Sequence, residues 1–184
     1  MQRVIKAELS SHKSLLNPWR SRRVWELDLA CGQGRHARLL ASRGALVTAL
    51  DRDEAALKTL GEVLGVSVLL VDVETEPWPF GPETFDAIIV TNYLHRALFP
   101  FLAAALRPGG TLIYETFMLG NERHGRPSNP EFLLRSAELL GAWSDTLQVL
   151  AFEEGFITKP KAAVVQRACL AKLMVGEVVP LPQR

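Results

Sequence analysis

Gly32 and Gly34 flank one residue in the segment Leu27-Asp28-Leu29-Ala30-Cys31-Gly32-Gln33-Gly34-Arg35-His36-Ala37. An apolar stretch gives way there to a helix-like one. Without Cβ atoms the two glycines let the backbone take unusual dihedrals and approach a ligand closely. The helix that follows offers unpaired N–H groups and the positive end of its dipole. Strand, glycine turn and helix in that order form a cradle for a nucleotide-type cofactor at the carboxyl edge of a parallel sheet. Gly32, Gly34 and Ala37 also satisfy the G-x-G-x-x-G/A dinucleotide spacing, and glycine pairs occur in ordinary tight turns. The turn alone leaves the cofactor open. Asp51, 17 positions after Gly34, ends the next apolar stretch, where an acid accepts hydrogen bonds from ribose hydroxyls.

The elements that must hold these residues follow from periodicity. Val24 to Ala30, Ala45 to Leu50, Ser67 to Val71, Phe85 to Val90 and Thr111 to Thr116 read as strands. His36 to Ser42, a segment capped by Asp53 and running to about Leu60, and Leu98 to Leu106 read as helices, with Pro100 in a first turn where its missing N–H costs little. Glu76-Pro77-Trp78-Pro79-Phe80-Gly81-Pro82 is too proline-rich for regular structure. Near-continuous apolar strands alternating with helices imply an α/β fold, a Rossmann-like, mostly parallel seven-stranded sheet with helices on both faces. Glu131 to Leu140 reads as a further helix. Thr146 to Phe152 and Ala162 to Leu173 read as two strands with no crossover helix between them, so the last strand is expected antiparallel.

The chain has 184 residues, 48% hydrophobic and 22% charged, with a formal net charge of +1. That composition excludes a disordered or collagen-like chain, and the balanced charge gives no global pull on nucleic acid. The longest nearly apolar run, Ala97 to Leu106, is far short of the ~20 residues of a membrane helix. Two cysteines, Cys31 and Cys169, are too few to staple a domain of this size, and a reducing cytoplasmic setting is the expectation. Neither joins a Cys/His group with zinc spacing, so no metal is expected. Residues 1–23 form a basic lead-in, expected to be partly helical with Leu15, Leu16 and Trp19 tucked against the domain, and residues 24–184 form the domain itself.

The glycine turn, Asp51, Val71-Asp72-Val73 and Leu106-Arg107-Pro108-Gly109-Gly110, in that order, resemble the motifs of the class I S-adenosylmethionine-dependent methyltransferases. The likeness runs from about Trp25 to Leu173. Leu27-Asp28-Leu29-Ala30-Cys31-Gly32-x-Gly34-Arg35-His36 looks most like the tellurite-resistance-type small-molecule enzymes of that class. Ala30 stands where that motif usually has its first glycine, and Glu153 to Lys159 lacks the histidine that tellurite-type enzymes carry after strand six. The resemblance implies S-adenosylmethionine as cofactor, bound by Asp28, Ala30, Gly32, Gly34, Arg35, Asp51, Arg52, Asp72, Val73 and Asn92. Asp28 would lie near its methionine amine, Arg35 near its carboxylate, Asp51 at the ribose, Asp72 and the Val73 N–H at the adenine, and Asn92 beside the methyl group.

The loop after the fourth strand would face the acceptor, which makes Tyr93 and His95 catalytic candidates, joined by Glu115 near the end of strand five. The polar loop from Gly120 to Pro130 is longer than most connections, which run to ~4–6 residues, and Asn121, Glu122 and Arg123 are expected to contact substrate. Cys31 fits as a small residue in a tight turn and His36 as a packing or capping residue. The expected reaction is methyl transfer to a small thiol, amine, hydroxyl or metalloid oxyanion. A nicotinamide-dependent oxidoreductase using the same turn, and methylation of RNA or protein, are the alternatives. Membrane attachment and nucleic-acid binding are not expected, and the oligomeric state is left open.

Overall fold

The computed structural model describes residues 24–174, so the basic lead-in lies outside the described residues. Seven strands form one sheet: β1 (Trp25–Leu29), β2 (Leu46–Asp51), β3 (Val66–Leu70), β4 (Phe85–Thr91), β5 (Leu106–Phe117), β6 (Gln148–Ile157) and β7 (Ala163–Ala171). Their order is β3-β2-β1-β4-β5-β7-β6. β1 to β5 pair in parallel, and β7 runs antiparallel to both β5 and β6. The expected mixed sheet and its antiparallel last strand are therefore present.

Among the described residues four α-helices pack on the sheet: α1 (Arg35–Ala41), α2 (Glu54–Lys58), α3 (Phe99–Ala105) and α4 (Glu138–Ala142). The Asp53 carboxylate accepts the Ala56 N–H at 3.1 Å, the cap expected for α2. Strand alternation divides the core into two layers. Val47, Ala49 and Ile89 meet Ala37, Leu40, Leu57 and Leu60 on the α1 and α2 side. Leu27, Leu29, Ile88, Val90, Leu112 and Tyr114 meet Phe99, Leu102, Leu139 and Trp143 on the other. There the Trp143 indole donates to the Phe99 carbonyl at 2.9 Å, while its ring sits 4.6 Å from that of Phe99. No helix follows β3. Trp78 and Phe80 cover that stretch instead, Phe80 edge-on to Phe85 at 4.8 Å. Among the described residues no helix is long and apolar enough to cross a membrane.

Three expected elements move. The strand expected over Thr146 to Phe152 is β6, Gln148–Ile157, because the pairing with β7 continues as far as Ile157 opposite Ala163, so Glu153 to Ile157 lie within the strand rather than after it. β5 begins at Leu106, not Thr111, because Leu106 pairs with Phe85 and Pro108-Gly109-Gly110 is absorbed as an irregularity before Thr111 meets Ala87. The helix expected over Glu131 to Leu140 is split into a 3-10 turn, Pro130–Phe132, and the short α4. Between them Leu134 donates to the Phe117 carbonyl and accepts from Leu119, which pulls the backbone out of helical geometry. Here tertiary hydrogen bonds override local propensity.

Glu26 carries a pH-dependent cost. It is 7% exposed, and one carboxylate oxygen has no hydrogen-bond partner among the described residues. Burial, then Asp86, push its pKa up from 4.5 to about 7, while Arg43 pulls it down. The folded chain thus keeps a proton that the unfolded chain releases, and this contribution falls as pH rises from about 4.5 to about 7. Glu26→Gln should exceed the parent in stability by about 1–3 kcal/mol at pH 8 and match it at pH 4. Thermal unfolding at both pH values checks this.

Candidate functional site

The sheet order reverses between β1 and β4, and such a switch opens a crevice beyond the carboxyl ends of the strands. The glycine turn sits at its edge. Ala30, Gly32 and Gly34 all have positive φ, 53°, 52° and 71°. At Ala30 a side chain is held in a region that costs roughly 1–2 kcal/mol for an L-residue. Cys31 staples the turn to β2 through its N–H and the Leu50 carbonyl, 3.0 Å. A Cβ at Gly34 would fall 2.4 Å from the Leu60 methyl carbons, so this glycine lets α1 pack close. A Cβ at Gly32 would meet nothing within 4 Å, so that edge of the turn faces open space. Burial, then Asp28 and Asp51, push the Cys31 thiol up to about 12, so it stays protonated and weakly nucleophilic.

Asp51 and Asp28 do different work. Asp51 accepts the Gly32 N–H at 2.7 Å and the Asp53 N–H at 2.9 Å, which ties the turn to the end of β2. Asp28 is 1% exposed and accepts the Ala37 N–H at 2.8 Å. Burial pushes its pKa up to about 7. Its other oxygen lies 3.9 Å from His36 Nδ1. Burial, then Arg35, push the His36 pKa down to about 4, so His36 is neutral at pH 7. Arg35 Nη2 lies 3.2 Å from His36 Nε2. Asp28, His36 and Arg35 thus form a strut beneath the turn, and neither Asp28 nor Arg35 lines the cavity beside it.

That cavity has a volume of about 380 Å³, near the low end of the ~300–1,000 Å³ usual for small-molecule sites. One end is charged: Asp51, Arg52, Asp72 and Glu74, with Val73 between the last two. Arg52 Nη1 lies 3.8 Å from both the Asp72 and Glu74 carboxylates. Asp72 accepts the Glu74 N–H and gives its own N–H to Glu76, both at 3.0 Å. The Val73 N–H has no partner among the described residues. Ala30, Asn92, Tyr93 and Leu94 line the middle, and Thr116, Pro127 and Phe132 form the far wall. Asn92 has φ 56° and donates its N–H to the Glu115 carbonyl at 2.9 Å. The Tyr114 hydroxyl donates to the Tyr93 carbonyl at 2.9 Å. Both bonds fix the loop after β4.

The structure therefore gathers Ala30, Asp51, Arg52, Asp72, Val73, Asn92 and Tyr93 around one cavity, with Gly32 and Gly34 in the turn at its edge. It does not bring the other candidates there. His95 opens the 3-10 turn Arg96–Leu98 and lies outside the lining. Glu115 points to the sheet face opposite Thr116, where Arg167 Nε is 3.2 Å away. Asn121 is 2% exposed. Its amide donates to the Pro127 carbonyl at 3.0 Å and accepts the Val164 N–H at 3.1 Å. Glu122 caps the Gly120 N–H, and Arg123 is exposed. Leu50, Val71, Glu74, Leu94, Thr116, Pro127 and Phe132 are the lining residues that sequence reasoning missed. Thr116 was readable from alternation with Leu112 and Tyr114, whereas Phe132 had no sequence signal. Arg96 anchors the backbone around it, donating to the Glu131 and Leu133 carbonyls at 2.8 and 2.9 Å and to both Glu138 oxygens. Asn121→Ala should strand the Val164 N–H and the Pro127 carbonyl. Amide exchange across residues 120–128 should quicken about tenfold while the sheet amides keep their protection.

Residues 27–110 match a family model described as a methyltransferase domain. A tRNA U34 carboxymethyltransferase of Methylococcus capsulatus is 31% identical over 139 residues, 68% of this chain and 40% of that protein. A trans-aconitate 2-methyltransferase of Paracidovorax citrulli is 35% identical over 94 residues, 47% of this chain and 36% of that protein. The chain thus spans well under two thirds of the length of either relative. In fold, TehB of Haemophilus influenzae aligns with a TM-score of 0.71 at 21% identity, over 91% of this chain and 62% of TehB. Residues 27–110 are thus similar to a methyltransferase domain, and the chain has the same fold as solved methyltransferase structures.

Proposed function

We propose that this chain moves the methyl group of S-adenosylmethionine onto a small-molecule acceptor. The observation that carries the reading is one cavity with an acid at each of two strand ends. Asp51 lies at the end of β2 and Asp72 just past β3, next to the Val73 N–H, which has no partner among the described residues. That donor and acceptor set suits a nucleoside: a carboxylate for the ribose hydroxyls, a carboxylate and an amide N–H for the base. The open space beside Gly32 leaves room for a chain extending from the sugar toward Asn92.

When bound, the cofactor supplies a methyl carbon already activated by the sulfonium charge. What remains for the protein is alignment and exclusion of water, and orientation alone is worth ~7–11 kcal/mol. The rigid turn, tied to Asp51 and Leu50, holds the donor side. Pro127 and Phe132, pinned by Asn121 and Arg96, wall the acceptor side with apolar surface. Phe132 is 52% exposed, surface that an acceptor packed against it would cover. The small-molecule reading is supported by the limited cavity volume and by the apolar far wall.

The test is a labelled-methyl assay of the full chain against thiols, amines, phenols, metalloid oxyanions and bulk RNA. Transfer to one small-molecule class, competed by S-adenosylhomocysteine, is expected. Labelling of RNA alone would replace the acceptor class. Binding of NAD in place of the adenosyl sulfonium would favour the oxidoreductase alternative.

A further inference from the structure

The far wall of the cavity leads out to a basic rim. Pro127 lines that wall, and Arg123 and Arg126, both exposed, stand on the loop that delivers it. The turn between β6 and β7 carries Lys159 and Lys161, also exposed. Loop and turn touch. The Asn121 amide accepts the Val164 N–H at 3.1 Å, the His124 ring lies 4.7 Å from that of Phe156, and a Cβ at Gly125 would fall 3.5 Å from Lys161 Nζ. Four cations thus gather beside the apolar wall of Pro127 and Phe132, and they are unengaged. Arg96, Arg107 and Arg167 each hold a carboxylate, whereas none of these four side chains makes a hydrogen bond or close ion pair among the described residues. The nearby carboxylates are occupied: Glu122 by the Gly120 N–H, Glu153 by Arg167, Glu154 by Ser136, Ala137 and Gln166, while Glu131 lies beside Arg96.

We propose that this rim receives an anionic group of the methyl acceptor, so that the acceptor is a small organic anion whose nucleophile reaches past Phe132 toward Asn92. The proposal rests on the methyl-donor reading and names its acceptor class. Cations without partners around the mouth of a cleft raise the local concentration of an anion, and a guanidinium matches a carboxylate through two parallel hydrogen bonds. The other end of the cavity has the opposite sign, Asp51, Asp72 and Glu74 against Arg52, and repels the same group. An anion is therefore oriented with its charge at the rim and its remainder toward the methyl donor. The anionic group itself forms and breaks no bond. The nucleophile's electron pair forms the bond to the methyl carbon, the pair of the carbon–sulfur bond stays with sulfur, and any proton on the nucleophile passes to water. Among the described residues four cations fall short of the ~6–10 phosphate contacts of an extended nucleic-acid track, which favours a small acceptor over RNA.

Labelled-methyl kinetics on the full chain with matched probe pairs test this: mercaptoacetate against mercaptoacetamide, glycine against glycinamide, and 4-hydroxybenzoate against 4-hydroxybenzamide. In a pair that is methylated, the acid should exceed the amide in kcat/KM by at least about fivefold at low salt, the scale of two partly exposed ion pairs. That advantage should shrink as salt rises. The double variant Arg126→Gln, Lys161→Gln should raise the acid's KM about fivefold, keep its kcat within about twofold and bring the acid to within about twofold of the amide. Its melting temperature and its affinity for S-adenosylhomocysteine should match the parent's, since neither side chain has a partner to lose and neither lines the charged end. Equal or better use of the amides, an acid preference that survives the double variant, methylation of bulk RNA alone, or no transfer to any probe by protein that binds S-adenosylhomocysteine overturns the proposal and leaves the methyl-donor reading standing. A parent that does not bind S-adenosylhomocysteine overturns that reading and the proposal with it.

Discussion

Asp51→Ala should weaken binding of S-adenosylmethionine and S-adenosylhomocysteine by at least about 100-fold. A carboxylate facing two ribose hydroxyls makes charge-assisted hydrogen bonds worth about 1.5–3 kcal/mol each. The substitution also frees the Gly32 and Asp53 N–H groups that Asp51 now holds at 2.7 and 2.9 Å. Both lie at the edge of the crevice, within reach of water, so the loss of stability should stay near 1 kcal/mol. Affinity and stability therefore separate. Asp51→Asn keeps an acceptor for the Gly32 N–H and should lose only about tenfold. Calorimetry on the three proteins, with thermal unfolding of each, reads both quantities. Unchanged affinity in Asp51→Ala would refute the ribose role.

Gly34→Ala should act on the fold. At φ 71° an L-residue is strained, and the added methyl would sit 2.4 Å from the side-chain carbons of Leu60, itself 0% exposed. Strain and overpacking together should cost about 2–4 kcal/mol. In a domain of this size that lowers the melting temperature by roughly 5–15 °C. Shortening Leu60 in the same chain relieves the overlap but leaves the strain and opens a gap. The double variant should therefore be less destabilised than the sum of the two single changes. Gly32→Ala offers the contrast. Its φ is 52°, but no atom lies within 4 Å of the added carbon, so only strain remains, about 1 kcal/mol. Calorimetric unfolding of these variants distinguishes a packing glycine from one that borders the cavity.

The sheet was legible because its determinants are local: short apolar runs, a glycine turn and the Asp53 cap. The antiparallel end was legible because two strands without a crossover helix admit no other pairing. The charged end of the cavity was legible in part. Asp51 is legible from its place at the end of an apolar strand, where position along a parallel strand fixes the side of the sheet on which a residue emerges, whereas Arg52, Asp72 and Val73 are implied by the family resemblance.

What failed depends on direction and on long-range contacts. Glu115 lies on the expected strand, but alternation turns it to the other face and Arg167 claims it there. Asn121 is polar and sits in a long loop, which suggests a ligand contact. Its amide is spent instead on Pro127 and Val164, 6 and 43 residues away in sequence. Phe132 reaches the cavity only because Leu134 bridges to β5 and Arg96 grips the carbonyls on either side. None of these partners is near Phe132 in sequence in a way that periodicity reads. The helix expected over residues 131–140 was lost to the same bridge.

The most direct measurement is a crystal structure of the full chain grown with S-adenosylhomocysteine. The account predicts the nucleoside in the cavity, its ribose hydroxyls on Asp51, its base at Asp72 and the Val73 N–H, and its homocysteine chain passing Gly32 toward Asn92. A ligand bound elsewhere, or a cavity that takes NAD and leaves the homocysteine nucleoside in solution, would contradict it.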